Sequence, residues 1–340
     1  MPLIHLGSGL TAEGRSSYMR QLTILKSGLE TCGYEAALAG PLDKPDISCA
    51  GAVLLGYPEQ FPWLSGDLPC PVYLWAQYSK PCRQASPVSW TWVPLTGQTA
   101  AYLAEGGNSR PGPVIPHGVD TSLFRPSAAQ YSRTAGDTFF TLGTVAAHTA
   151  RKQFRRIFES FALFAKDKTG VKLLIKTDVI RSRDGEDLDA MADAFNLRGK
   201  TEIITADLSD GELMHLYNRM DTYINLSEWE GFCIPVIEAM ACGIPVIAQA
   251  GQGPGELISP PHLKLQNSRA VMDGETRLLH ADPAEAAAFI TRAWKHSGEM
   301  KELTRAGLPA FRARFSIDTV TRQWISLIEK GCLTPGKSGT

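Results

Sequence analysis

Two glutamates eight positions apart, Glu230 and Glu238, bracket the run Gly231-Phe232-Cys233-Ile234-Pro235-Val236-Ile237, and Ala239-Met240-Ala241-Cys242-Gly243-Ile244-Pro245-Val246-Ile247-Ala248 follows. Eight residues do not return two side chains to one face of a continuous helix, so the carboxylates belong to different local structures that share one ligand. Gly231 permits a tight loop, Pro235 has the dihedral favoured in a first helical turn, and Gly243 suits the residue just past a helix end. Glu230 therefore precedes a helix and Glu238 lies within it. Ile244 to Ala248 then reads as a short buried strand, the order found in a parallel α/β sheet. A helix start facing a loop carboxylate suits a ligand that is anionic at one end and hydroxyl-rich at the other. A nucleotide sugar fits that description.

The chain has 340 residues, room for two domains that each bury a core. Its 34 basic and 35 acidic residues nearly cancel, which argues against a phosphate-tracking nucleic-acid binder. Seven cysteines (Cys32, Cys49, Cys70, Cys82, Cys233, Cys242, Cys332) form no CxxC pair, so neither a disulfide framework nor a zinc site is indicated. The first 30 residues lack a basic head, a long apolar core and a cleavage site, and no apolar run reaches spanning length. A cytoplasmic protein is expected, soluble or peripheral to the inner face of a membrane.

Charged residues are sparse before residue 129 and dense after it, and the first part carries Trp63, Trp75, Trp90 and Trp92. These aromatics read as core filling rather than as an acceptor groove or membrane-facing surface. Leu3–Leu6, Ala36–Ala39, Ala52–Leu55 and Val72–Trp75 are short apolar runs bounded by Gly or Pro, as buried parallel strands should be. A Gly-rich loop from Gly7 to Gly14 and a helix from about Ser16 to Thr31 separate the first two. Gly56 to Pro71 reads as loop, and Asp120 to Gly136 as linker.

Beyond the linker, Thr138–Gly143 begins a second α/β half. A helix from Arg151 carries Phe154, Ile157, Phe158 and Phe161 at helical spacing, which is a core stripe. Ser209 and Glu212 form a capping box, and Asp282-Pro283 starts another helix. Arg151-Lys152 sits where a loop enters a helix, so two cations and free amides converge on one place. That suits a diphosphate.

The Glu230–Glu238 run resembles the Glu-x7-Glu signature of the retaining GT-B glycosyltransferases, in particular family 4, the glycosyl transferases group 1 type. Three further blocks are similar to family blocks, in family order: Val114–Pro126, Leu208–Asp221 and Gly253-Pro254-Gly255-Glu256. The resemblance runs from about Val114 to Glu329. It implies a GT-B fold, two Rossmann-like, doubly wound parallel-sheet domains facing across a cleft. Residues 1–128 would form the acceptor-side domain, with a C-terminal helix 317–330 packing back on it, and residues 129–316 the domain that binds a nucleotide-diphosphate (NDP) sugar.

By the same resemblance, Glu230 faces the donor sugar, Glu238 holds the ribose and Lys152 holds the pyrophosphate. Arg151, Gly231, Phe232, Cys233, Ile234 and Leu208 complete the donor side. The implied reaction moves a hexosyl unit from a UDP- or GDP-sugar to a hydroxyl of a glycan, lipid-linked or small-molecule acceptor. Configuration is retained and no cofactor or metal takes part. Base, sugar and acceptor identity depend on pocket contacts outside these motifs.

Three departures from the family pattern stand out. Gly143-Thr144 replaces a usual Gly-Arg, which leaves Arg151 or Arg155 as the second cation. Cys233 replaces a usual glycine. Trp75-Ala76-Gln77-Tyr78 occupies a region where the family often has a histidine, and Gln77 cannot shuttle a proton.

Two other readings compete. A catalytically degenerate GT-B protein would bind a sugar nucleotide without turnover. An NAD-dependent oxidoreductase is suggested by Gly7-Ser8-Gly9-Leu10-Thr11-Ala12 alone, and the second strand lacks the acid that such a site needs for the ribose. That segment reads as an acceptor-side loop centred on Gly9, Gly14 and Arg15, or as a plain strand–helix turn. Asp187-Leu188-Asp189 lies in a charged amphipathic stretch and reads as a solvated helix face, not a metal site.

Overall fold

The structure is a computed structural model that describes residues 1–9, 17–76, 78, 90–107, 111–127, 139–274 and 276–332. Two compact units divide the chain, Met1–Asp120 with Ala313–Thr340, and Thr121–Arg312. Residues 121–127, part of the stretch read as linker, belong to the second unit. Phe124 is buried there against Tyr217, and Asn218 binds both the Ser127 N–H and the Arg125 carbonyl.

In the first unit the strands are β1 (Leu3–Ser8), β2 (Glu35–Ala39), β3 (Cys49–Leu55), β4 (Val72–Ala76) and β5 (Trp90–Pro94), with helices α1 (Ser17–Thr31) and α2 (Gly97–Glu105). They form one parallel sheet in the order β2-β1-β3-β4-β5. β3 and β4 are almost wholly buried, as expected for strands covered on both faces. Trp92 lies in the core cluster beneath them, with Trp63 and Trp90 packed against it, and Trp75 is fully buried. These tryptophans fill a core. Sequence reading missed β5 and α2, and Gly56 to Pro71 proved to hold two short 3-10 turns, Pro58–Gln60 and Pro62–Ser65.

The C-terminal helix, Ile317–Cys332, belongs to this unit and packs on α1 and β3. Trp324 meets Trp75 edge-on, 5.2 Å between ring centroids, and the Tyr34 hydroxyl donates to Glu329 at 2.6 Å. Gly28 makes the close approach possible, since a Cβ there would lie 2.2 Å from Thr321 Oγ1.

The second unit contains β6 (Phe140–Val145), α3 (Phe154–Ala165), β7 (Val171–Lys176), α4 (Leu188–Ala194), β8 (Thr201–Ile204), α5 (Asp210–Asn218), β9 (Thr222–Asn225), α6 (Ile234–Ala241), β10 (Val246–Gln249), α7 (Gly253–Leu257) and β11 (Leu263–Leu265). A hairpin, β12 (Arg269–Asp273) and β13 (Thr276–His280), precedes α8 (Pro283–Lys295) and α9 (Ser297–Ala306). The six-stranded sheet runs β11-β10-β9-β6-β7-β8, with parallel pairing throughout. Phe154, Ile157, Phe158 and Phe161 of α3 are all buried in the main core cluster, where each is worth roughly 2–3 kcal/mol of burial.

Strand order reverses between β6 and β9. In an open α/β sheet, ligands bind outside the carboxyl ends of the strands at this point. The loops leaving β6 and β9 are those that carry Arg151-Lys152 and Glu230.

Candidate functional site

The loop after β6 ends in a single 3-10 turn, Ala150–Lys152, and α3 starts only at Phe154. The sequence reading began a regular helix at Arg151. The left-handed Gln153 (φ 51°, ψ 44°) breaks it and redirects the chain, so that Lys152 turns inward and is buried. Its ammonium donates to Glu230 Oε1, and Arg151 Nη1 donates to Glu230 Oε2. Arg151 also lies over the Trp229 ring, 5.0 Å from its centroid. Two cations at the start of a helix are thus matched by a protein carboxylate, which answers the electrostatic objection that cations sit poorly there.

Burial alone would raise the Glu230 carboxyl, but Lys152 and Arg151 together outweigh it and hold the group below its ordinary value. It is an anion at neutral pH, inside a site that excludes most water. Glu228, two residues earlier, goes the other way: burial raises it, and His280 Nε2 at 3.2 Å only partly offsets that. Glu228, His280, Gln153, Arg155 and Phe195 help to line an adjoining cavity of about 430 Å³.

From Glu230 the chain passes through Gly231 and the fully buried Phe232 to Cys233, which caps α6 with φ 80° and ψ 85°. Asn225 Nδ2 donates to Cys233 Sγ at 3.3 Å. Burial, with Glu230 nearby, pushes the thiol up to about 12, so it is no nucleophile at neutral pH. Ile234 and Pro235 form the first turn of α6, and Glu238 follows on the same helix, almost fully buried. The Tyr217 hydroxyl of α5 donates to Glu238 Oε2 at 2.7 Å. At the helix end Gly243 adopts φ 72°, as its place past the terminus requires.

Leu208 is half-buried in the loop after the edge strand β8. Thr144 is buried within β6 and supplies no cation, while the exposed Arg155 stacks over Phe195. Arg151 is the second cation that meets Glu230. Asp187 caps α4 through the Ala190 N–H and pairs with Arg181, and Asp189 stands in the first turn of that helix. In the first unit Gly9 donates its N–H to the Leu55 carbonyl at 2.9 Å and packs against Gly56 and Gln60. Gly14, Arg15 and Gln77 lie outside the described residues.

Three glutamines that sequence reading missed hold the β9–α6 loop. Gln153 Nε2 donates to the Leu226 and Leu279 carbonyls, and its Oε1 accepts from the Ala281 N–H. Gln249 Nε2 donates to Leu226 and Ser227, and Gln252 binds the backbone of Glu228 and Glu230. Their one visible signal was position, next to Lys152 and at the Gly253-Pro254-Gly255-Glu256 block. Gly253 itself is required, because a Cβ there would lie 2.3 Å from the Gly231 carbonyl oxygen.

Residues 132–293 match the family model described as Glycosyl transferases group 1. The chain carries a glycosyl transferases group 1 domain. Among curated relatives, a probable sucrose-phosphate synthase of Thermosipho melanesiensis is 27% identical over 227 residues, 64% of this chain and 47% of its own length. A GDP-mannose-dependent alpha-mannosyltransferase of Mycobacterium tuberculosis is 30% identical over 179 residues, 50% of this chain and 41% of that protein. The chain spans about half the length of such relatives, or less. An Anabaena protein crystallised with UDP and glucose superposes with a TM-score of 0.74 at 12% identity, covering 97% of this chain and 100% of the other. The fold is the GT-B type, two parallel-sheet α/β domains. No helix among the described residues is long and apolar enough to cross a membrane.

Proposed function

We propose that the protein is a retaining, metal-independent glycosyltransferase of family 4 type, which moves a hexosyl unit from a UDP- or GDP-sugar to a hydroxyl acceptor. The observation that carries this reading is the meeting of Lys152, Arg151 and Glu230 at the switch point of the second sheet. A donor diphosphate presents to the two cations the same kind of oxyanion that Glu230 presents, and competes for them. Glu230, displaced toward the sugar, then orients the hexose. Lys152 and Arg151 stabilise the charge that grows on the departing phosphate.

Retention is what the resemblance of the Glu230–Glu238 run implies, and the site is compatible with it. Glu238, held by Tyr217, is assigned to the ribose, and the Cys233 thiol is protonated. Neither serves as a nucleophile on the sugar's far face, so a retained configuration calls for the acceptor to attack from the leaving-group side, with the diphosphate taking its proton. The acceptor is a glycan, lipid-linked or small-molecule hydroxyl, and the reaction belongs to the cytoplasm or the inner face of a membrane.

A second reading, a sugar-nucleotide binder without turnover, draws on Thr144 and on the left-handed Cys233 at the start of α6. Release of UDP from UDP-glucose and of GDP from GDP-mannose, with and without hydroxyl acceptors, separates the two. Proton NMR of the product's anomeric coupling then reads the stereochemistry. A β-product from an α-donor contradicts the roles given to both glutamates. Tight nucleotide binding with no release from either donor favours the second reading.

A further inference from the structure

The peptide units on either side of Trp229 are gripped by one side chain. Gln252 Oε1 accepts the Glu230 N–H at 3.1 Å, and Gln252 Nε2 donates to the Glu228 carbonyl at 2.7 Å. A carboxamide supplies donor and acceptor together, so Gln252 pairs with this loop as a neighbouring strand would. The next residue completes the hold: the Gly253 N–H donates to the Glu230 carbonyl at 3.0 Å. Both backbone polar groups of Glu230 are therefore engaged by consecutive residues, while its two carboxylate oxygens face Lys152 and Arg151.

We propose that Gln252 is a positioning residue that sets where the Glu230 carboxylate stands, an inference that rests on the transferase reading above. Gln252 is buried and its side-chain hydrogen bonds go to backbone, so it acts through Glu230 rather than on the donor. Shortening to Asn would not reach both groups, Glu would lose the donor, and Met would keep the length and lose both bonds. Displacement of a reacting group by about 1 Å costs on the order of 100-fold in rate, which is the sensitivity the test exploits.

The test compares wild type, Gln252→Met and Gln252→Glu in steady-state release of UDP from UDP-glucose and GDP from GDP-mannose, alongside thermal midpoints. For Gln252→Met, kcat should fall roughly 10- to 100-fold while the donor KM stays within about threefold and the midpoint moves by a few degrees at most. Gln252→Glu, which keeps the acceptor for Glu230, should lose about tenfold in kcat with the same unchanged KM. A folded variant with wild-type kcat overturns the proposal, as does a kcat loss matched by a rise in KM. If Gln252→Met fails to fold, Gln252→Glu decides alone, and its unfolding too would assign Gln252 to the fold. Wild-type protein that releases nucleotide from neither donor removes the transferase reading itself, and this inference with it.

Discussion

Glu230 gives one carboxylate oxygen to Lys152 and the other to Arg151, so a single buried acid occupies both cations of the site. The resemblance assigns Glu230 to the donor sugar alone, whereas this pairing also makes the carboxylate a competitor of the donor diphosphate. Glu230→Gln should therefore lower transfer on the order of 100-fold or more and tighten UDP or GDP binding by several-fold, roughly 1 kcal/mol. Calorimetric titration with each nucleotide checks the second half. Weaker binding would show that Glu230 helps to hold the diphosphate instead.

Lys152→Ala should weaken UDP or GDP binding more than Arg151→Ala does. The Lys152 side chain is 9% exposed and that of Arg151 34% exposed, and a charge shielded from water acts more strongly on the phosphate. A loss of about tenfold or more in affinity is expected for Lys152→Ala, with a further fall in turnover. Equal effects of the two variants would mean that burial does not rank them.

Cys233 and Gln153 both occupy left-handed backbone that glycine adopts freely, yet their replacement should act in opposite directions. Cys233→Gly gives up one weak hydrogen bond and should leave stability unchanged or raise it by about 0.5–1 kcal/mol. Gln153→Gly gives up bonds to Leu226, Leu279 and Ala281, and should cost roughly 2–3 kcal/mol despite the relief. Urea unfolding of the two variants decides it. The same sign for both would show that backbone strain outweighs the glutamine's bonds.

His262 Nδ1 accepts the Val246 N–H at 3.0 Å, and burial lowers its pKa to about 4, so the folded unit holds the neutral ring. The unfolded chain takes up a proton near the ordinary value of about 6.5, which the folded state refuses. Stability from this group is thus complete above pH 6.5, falls as the pH drops, and stops changing below about 4, for a total of roughly 3 kcal/mol. His262→Asn keeps an acceptor without the titration and should flatten the stability profile in that window. An unchanged slope would remove His262 as its source.

Transfer should survive EDTA, because the site's positive charge comes from side chains and Asp187 is taken up by its helix cap and Arg181. Loss of activity on chelation with rescue by manganese would give the acidic stretch a role that its hydrogen bonds do not suggest.

What could be read from the chain rests on short-range rules. The Ser209–Glu212 capping box, the Asp282-Pro283 helix start, the aromatic stripe of α3 and the left-handed Gly243 all depend on neighbours within a turn or two, and all are found. The separation of Glu230 in a loop from Glu238 in a helix follows the same logic. β5 was hidden because Trp90-Thr91-Trp92-Val93-Pro94 lacks the plain aliphatic run of the other strands, and β8 and β9 are four residues long. The helix start at Arg151 failed because no local rule calls for a left-handed Gln153. Its three hydrogen-bond partners lie 73 to 128 residues away.

By itself, then, the sequence determined two α/β halves, the elements with clear periodicity or caps, and a pair of glutamates flanking a helix start, since each is a property of adjacent residues. Tertiary structure alone decided that Glu230 meets Lys152 and Arg151, 78 and 79 residues distant, that Tyr217 takes Glu238, and that three glutamines hold the loop. The physical reason is the reversal of strand order between β6 and β9. It brings together loops far apart in the chain, and buried polar groups there must find partners in each other because water is excluded.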